Sequence, residues 1–88
     1  MSTSSEARAR LPEAVALHAR PAGAFVKCAA QYAAVVQVAA NGRCANAKSI
    51  LEVLGLGAEG GTELLITASG DDAAAAVLEL AGIVPQLG

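Results

Sequence analysis

Aromatic residues are almost missing from this chain, which has no Trp, one Tyr and one Phe among 88 residues. Its six basic residues are scattered and the net charge is −2. With neither stacking platforms nor a cationic patch, nucleic-acid binding is not expected. Cysteine and histidine are equally scarce. Cys28 and Cys44 lack metal-type spacing and, with a single histidine, cannot complete a four-ligand zinc site; they read as reduced, small packing residues. No metal ion or cofactor is implied. Although 55% of the residues are hydrophobic, no unbroken apolar run approaches the roughly 18 to 20 residues that span a bilayer, so no membrane insertion is expected. Met1 to Arg10 carries Ser, Glu and Arg but no apolar segment of the kind that directs secretion, and the chain reads as cytoplasmic.

What remains suits one small globular domain spanning residues 1–88, with about residues 1–5 frayed and one modest core. Ala7 to Leu11 alternates small or apolar residues with Arg8 and Arg10, a strand signal that Pro12 ends or confines to a sheet edge. Ala22, Phe25, Val26 and Ala29 recur at helical spacing and predict a helix from about Ala19 to Tyr32. The β-branched stretch Ala34 to Ala39 precedes Asn41-Gly42, a pair suited to a tight type I′ turn, with Arg43 to Ala45 returning as the next strand. A short helix is expected from about Ile50 to Leu54, and Gly55, Gly57, Gly60 and Gly61 supply the loop after it. Thr62 to Ala68 alternates as a strand with Leu64 and Ile66 on one face. In the last helix Ala73, Val77, Leu80 and Val84 mark one buried stripe, with acidic Asp71 and Asp72 before it and Pro85 as its stop. The order β-α-β-β-α-β-α, with antiparallel strands and all helices on one face, makes a two-layer α/β open-faced sandwich.

Chemistry concentrates in Leu17-His18-Ala19-Arg20-Pro21-Ala22. A helix beginning near Ala19 tolerates Pro21 in its first turn and puts His18 at its N-terminus. Backbone N–H groups without partners and the aligned peptide dipoles favour an anion there. Arg20 adds a permanent charge and a planar fork of donors that matches phosphate oxygens. Histidine offers a neutral, nucleophilic imidazole near neutral pH. The stretch thus outlines a phosphate-handling site, whereas a lone histidine at a helix start also serves as a solvated cap. Further along, Ser49-Ile50-Leu51-Glu52 fits a capping box, which is sufficient reason for the serine. Val53 and Leu54 are expected in the core and Ile50 mostly exposed.

Taken with Asn46-Ala47-Lys48-Ser49-Ile50-Leu51 and Leu56-Gly57…Gly61-Thr62, the histidine stretch resembles the HPr family, the histidine phosphocarriers of the bacterial phosphoenolpyruvate-dependent phosphotransferase system. The resemblance runs without gaps from about Ala7 to Val84. It implies a four-stranded antiparallel sheet in the order 1-4-2-3 with three helices on one face, and a carrier rather than a free-standing enzyme. It further implies that His18 takes a phosphoryl group on Nδ1 from Enzyme I and passes it to IIA proteins or domains for sugar uptake, with Arg20 accompanying it. Ser49 matches a serine that a dedicated kinase/phosphorylase modifies in some bacteria. Ala19, Pro21, Ile50 and Leu51 match the docking surface, and Lys27 and Lys48 are candidates to add positive charge to it. A monomer is expected. Val15 and Ala16 stand where the family carries Asn and Gly, so the loop lacks glycine's backbone freedom and the Asn hydrogen bonds. Alternatives are a regulatory or nitrogen-type paralogue, and an interaction module inactive in transfer.

Overall fold

The computed structural model describes residues 3–88. In chain order the elements are β1 (Ser4–Arg10), α1 (Ala19–Ala29), β2 (Val35–Ala40), β3 (Arg43–Asn46), α2 (Ile50–Leu54), β4 (Glu63–Ser69) and α3 (Ala73–Ile83), closed by a 3-10 turn at Val84–Gln86. The sheet is antiparallel throughout, in the order β1-β4-β2-β3. Both the architecture and the strand order match what the sequence implies. β1 takes in Ser4 and Ser5, which the sequence alone assigns to a frayed end, because Gly70 N–H donates to Thr3 O and the ladder with β4 runs out to Ser4. Met1 and Ser2 lie outside the described residues.

Alternation of side chains sets the register. Ala7, Ile66, Val38 and Ala45 align across all four strands and face the helices, while Glu6, Thr67, Gln37 and Asn46 form the neighbouring row on the open face. Asn41 and Gly42 have φ of +55° and +74°, the conformation that a two-residue type I′ hairpin needs. Against the inner face α1 buries Ala22, Phe25, Cys28 and Ala29, and α3 buries Ala73, Ala76, Val77 and Leu80. The single Phe is fully buried among small residues, which lets the helices approach the sheet closely.

The end of α1 differs from the sequence reading. α1 stops at Ala29 rather than Tyr32 because Gln31 N–H and Tyr32 N–H turn to acceptors three residues back. Beyond them Asp72 accepts from Ala33 N–H and Ala34 N–H, both at 2.8 Å, and these bonds hold its carboxyl below the usual aspartate range. Asp72 occupies the N-cap of α3 yet spends its carboxylate on the preceding connection rather than on its own helix. α3 ends at Ile83, just ahead of Pro85 as the sequence implies, and Pro85 sits inside the 3-10 turn that follows, where its missing N–H removes no α-helical bond, and Val84 and Leu87 remain buried.

The glycine loop is fixed by contact with the segment before α1. A Cβ on Gly60 would lie 1.9 Å from Glu13 O and 2.7 Å from Glu13 C, so the two backbones touch only because position 60 has no side chain. Gly57 is a different case: its φ is +63° with open space around it. In urea denaturation Gly57→Ala is expected to cost about 1–2 kcal/mol, the ordinary left-handed penalty, and Gly60→Ala more than about 2 kcal/mol, since no side chain can yield there. Equal costs at the two positions contradict the assignment of Gly60 to close packing.

Candidate functional site

The segment ahead of α1 reaches its helix by backbone hydrogen bonds. Leu11 N–H donates to Thr62 O, Leu17 N–H to Ala58 O, and Gly61 N–H to Leu11 O and Pro12 O. A turn forms where Val15 N–H meets Pro12 O at 3.0 Å, and Leu17 is buried as the apolar anchor. Among the described residues Asn41 is the one non-glycine with positive φ, so Ala16 lies in ordinary backbone space and glycine is not required there. Val15 packs on the core, half-buried. The loop thus stands without the Asn-Gly pair of the family pattern.

His18 is the N-cap of α1, with extended backbone (φ −82°, ψ −174°), an exposed side chain and no side-chain cap bond. Its N–H donates to Ala16 O at 2.8 Å and its carbonyl accepts from Ala22 N–H, starting the helical ladder. Pro21 has no N–H, which leaves the amides of Ala19 and Arg20 as the first-turn donors with no backbone acceptor among the described residues. No acidic residue occupies that turn. Arg20 is exposed and takes part in neither ion pair found, Arg8–Glu63 or Arg10–Glu63. It borders a shallow groove of about 240 Å³ lined also by Pro21, Ala24, Gln86, Leu87 and Gly88. A nucleophilic ring, two amide donors and a guanidinium therefore gather at an open helix start, not in an enclosed pocket.

The basic candidates fare differently. Lys27 lies in the last turn of α1, about 13 Å along the axis from His18 at 1.5 Å per residue. Lys48 is half-buried with its ammonium donating to Tyr32 O at 2.6 Å, beyond the far end of α1, so it clasps the fold.

Ser49 is the N-cap of α2 and its Oγ accepts from Glu52 N–H at 3.4 Å, but the reciprocal half of the capping box is absent. Glu52 Oε1 accepts instead from Asn46 N–H at 3.0 Å, while Ser49 N–H donates to Asn46 O and Lys48 N–H to Asn46 Oδ1. Asn46 is thus the organiser of this corner, a role that its place at the end of a strand does not signal. Behind Ser49, Val53 is buried, Leu54 half-buried, and Ile50 and Leu51 are 39% and 80% exposed. α1 and α2 pack together, with Ile50 beside Gly23.

Neither cysteine belongs to the site. Burial and the neighbouring Glu79 push the Cys28 thiol up to about 11, so it stays protonated and packs. Tyr32 rises to about 12 through its hydrogen bond to the same glutamate. Cys44 is exposed on the open face of the sheet, with Sγ 3.6 Å from Gln37 Oε1, rather than packed inside. Among the described residues no cluster of His, Cys, Asp or Glu can hold a metal ion, and no helix is long and apolar enough to cross a membrane.

An open-faced sandwich with its one histidine exposed at the start of the first helix has the form that suits a carrier of phosphoryl groups. The comparisons specify which: residues 5–86 match the family model described as the PTS HPr component phosphorylation site, and the chain belongs to the HPr family of phosphotransferase-system phosphocarriers. It is 42% identical over 83 residues to the phosphocarrier protein HPr of Streptomyces coelicolor, covering 93% of this chain and 89% of that one. The crystal structure of an HPr from Bacillus anthracis superposes with a TM-score of 0.86 at 33% identity, over 92% of this chain and 96% of that one. Crh, the catabolite repression HPr of Bacillus subtilis, superposes with a TM-score of 0.71 at 31% identity, over 96% and 100%.

Because Ala16 needs no left-handed backbone, restoring the family's residue brings no relief of strain. Ala16→Gly is expected to lower stability by about 0.4–1 kcal/mol through the freer unfolded chain, measured as a shift in the urea midpoint. A stabilised variant contradicts this account of the loop.

Proposed function

We propose that His18 is the phosphorylated residue, accepting the group from phospho-Enzyme I and delivering it to IIA proteins or domains for coupled sugar uptake, in the cytoplasm and as a monomer. What carries the reading is the exposed His18 ring at the N-cap of α1, beside the two first-turn amides without backbone acceptors and the Arg20 guanidinium. The Nδ1 lone pair attacks phosphorus while the bond from phosphorus to the donor breaks and its electron pair returns to the donor. The other ring nitrogen carries the proton, so that Nδ1 is free to react. Transfer onward runs the same exchange in reverse with the acceptor. Ala19 and Arg20 amides and the Arg20 side chain hold the phosphoryl oxygens loosely enough for release. The remaining stabilisation of the transition state comes from the partner enzymes. Ala19, Pro21, Ile50 and Leu51 form the docking face, and Lys27 extends its positive charge.

Ser49 is the proposed regulatory position, modified by a serine kinase/phosphorylase. A phosphate there introduces negative charge beside Ile50 and Leu51 and so opposes docking. The second reading, a regulatory paralogue, is supported by the likeness to Crh, which is weaker than that to the HPr of Bacillus anthracis.

Incubation with phosphoenolpyruvate and catalytic Enzyme I is expected to add one acid-labile, base-stable phosphoryl group, lost in His18→Ala. No labelling of the unmodified chain, or labelling that survives in His18→Ala, overturns the reading. Arg20→Ala is expected to keep the fold and slow transfer about 10- to 100-fold, the loss of one charge-assisted contact. For Ser49→Asp the expected result is an unfolding temperature within a few degrees of the original and a KM for the carrier in the Enzyme I reaction raised about tenfold. An unchanged KM removes Ser49 from control of docking.

A further inference from the structure

The sheet face turned away from the helices holds a cavity of about 510 Å³, roughly twice the volume of the groove beside Arg20. Side-chain size on neighbouring strands makes it. β4 runs between β1 and β2, and its outward residues at this end are the small Thr67 and Ser69. Beside them the flanking strands place Ser4 and Glu6 on one side and Val35 and Gln37 on the other. Glu6 and Gln37 stand two strand spacings apart, about 10 Å, with Thr67 alone between them. The result is a trough with a low floor on β4, and the larger Leu65, the next outward residue of that strand, bounds it.

Its lining decides what it can hold. Among the described residues the hydroxyls of Ser4, Thr67 and Ser69 and the carboxylate of Glu6 have no side-chain hydrogen bond within the protein, and Gln37 uses only its Oε1, 3.6 Å from Cys44 Sγ. Glu6 is the one charged residue of the lining, and Arg8, next along the same face, is drawn to Glu63 at 3.3 Å. Val35, 66% exposed, supplies an apolar wall, and no aromatic ring is present for stacking. An anion entering the trough meets a carboxylate and no cation. A wholly apolar molecule takes water from the hydroxyls and replaces none of their bonds. A molecule with hydroxyls of its own and one ammonium satisfies both demands. We propose that the trough binds a small polyhydroxylated amine of the amino-sugar class, its ammonium donating to Glu6 and its hydroxyls bonding Thr67, Ser69 and the free amide of Gln37.

The site is separate from the phosphoryl chemistry. His18 and Arg20 belong to the helix layer, whereas the trough opens on the other side of the sheet, so an occupant leaves the helix start free. A shallow trough open to water and without stacking gives weak binding, with a Kd of about 1–10 mM. Such a site fills only when its ligand is abundant.

The test is titration of the full chain with glucosamine, glucose and putrescine at low salt, followed through backbone amide shifts. Glu6→Gln and Thr67→Tyr are titrated beside the unmodified chain, each first compared with it by thermal unfolding. Glucosamine is expected to move the amides of Glu6, Gln37, Thr67 and Ser69 along one saturating curve, and to bind about five- to tenfold more tightly than glucose, which lacks the ammonium, or putrescine, which lacks the hydroxyls. Glu6→Gln is expected to bring glucosamine down to the affinity of glucose. Thr67→Tyr fills the trough with a residue that suits a strand and is expected to abolish the curve. Should Thr67→Tyr unfold early, Glu6→Gln decides, because that change is exposed and keeps the side chain's size. The proposal is overturned if these amides show no saturation by about 50 mM glucosamine, several times the expected Kd. It is equally overturned if glucose or putrescine binds as tightly as glucosamine, or if folded Glu6→Gln keeps the original affinity.

Discussion

Everything about the histidine depends on two backbones pressed together at Gly60 and Glu13. The loop after α2 and the segment before α1 approach more closely there than any side chain at position 60 permits. Around that contact run the hydrogen bonds from Leu11, Leu17 and Gly61 that bring the chain to the start of α1 at one height and angle. Leu17, buried directly before His18, is the side-chain half of the same device. Rigidity is thus supplied one residue before His18, and the ring itself is left in solvent. A relay needs that division: the nucleophile must be found in the same place by successive partners, yet nothing around it may hold the cargo tightly.

The helix start meets this demand with few parts. Pro21 removes one first-turn amide, the turn to Ala16 occupies another, and the Ala19 and Arg20 amides remain. Two donors and one guanidinium grip an anion modestly in water, because solvent screens them. α1 also presents no carboxylate to repel the charge that arrives. On the far side Lys48, Tyr32, Asp72 and Glu79 tie the other end of α1 and the following connection into the fold. One end of the helix is bound by side chains and the other is open to solvent.

Much of this was legible in the chain because it is local. The Asn41-Gly42 turn, the alternation of Leu64 and Ile66, the stripe from Ala73 to Val84 and the span of α2 each follow from propensity or period within a few residues. What escaped depends on partners far away in sequence. α1 ends early where Asp72 takes the amides of Ala33 and Ala34, and Lys48 turns from a surface charge into a clasp on Tyr32. The capping box forms only half because Asn46 competes for Glu52. Cys44 faces solvent because the register of β3 puts it opposite Ala39 on the open face. Gly60 is visible in sequence as a glycine, but its use against Glu13 is a tertiary fact. Position 16 shows the converse: the family pattern suggests that glycine is needed, and the backbone shows that alanine serves.

The register of the first strand carries a consequence for the birth of the molecule. Ser4 pairs with Ser69 and Arg10 with Glu63, and among the described residues β4 is the one strand that β1 pairs with. The β2–β3 hairpin can close on its own two-residue turn while the chain is still being made. β1, the earliest made of the four strands, has no strand to pair with until Glu63–Ser69 has been made and β4 emerges. The segment that presents His18 is anchored to the loop just ahead of β4. Its geometry is therefore set late, and a truncated or half-made chain carries the histidine without the scaffold that positions it.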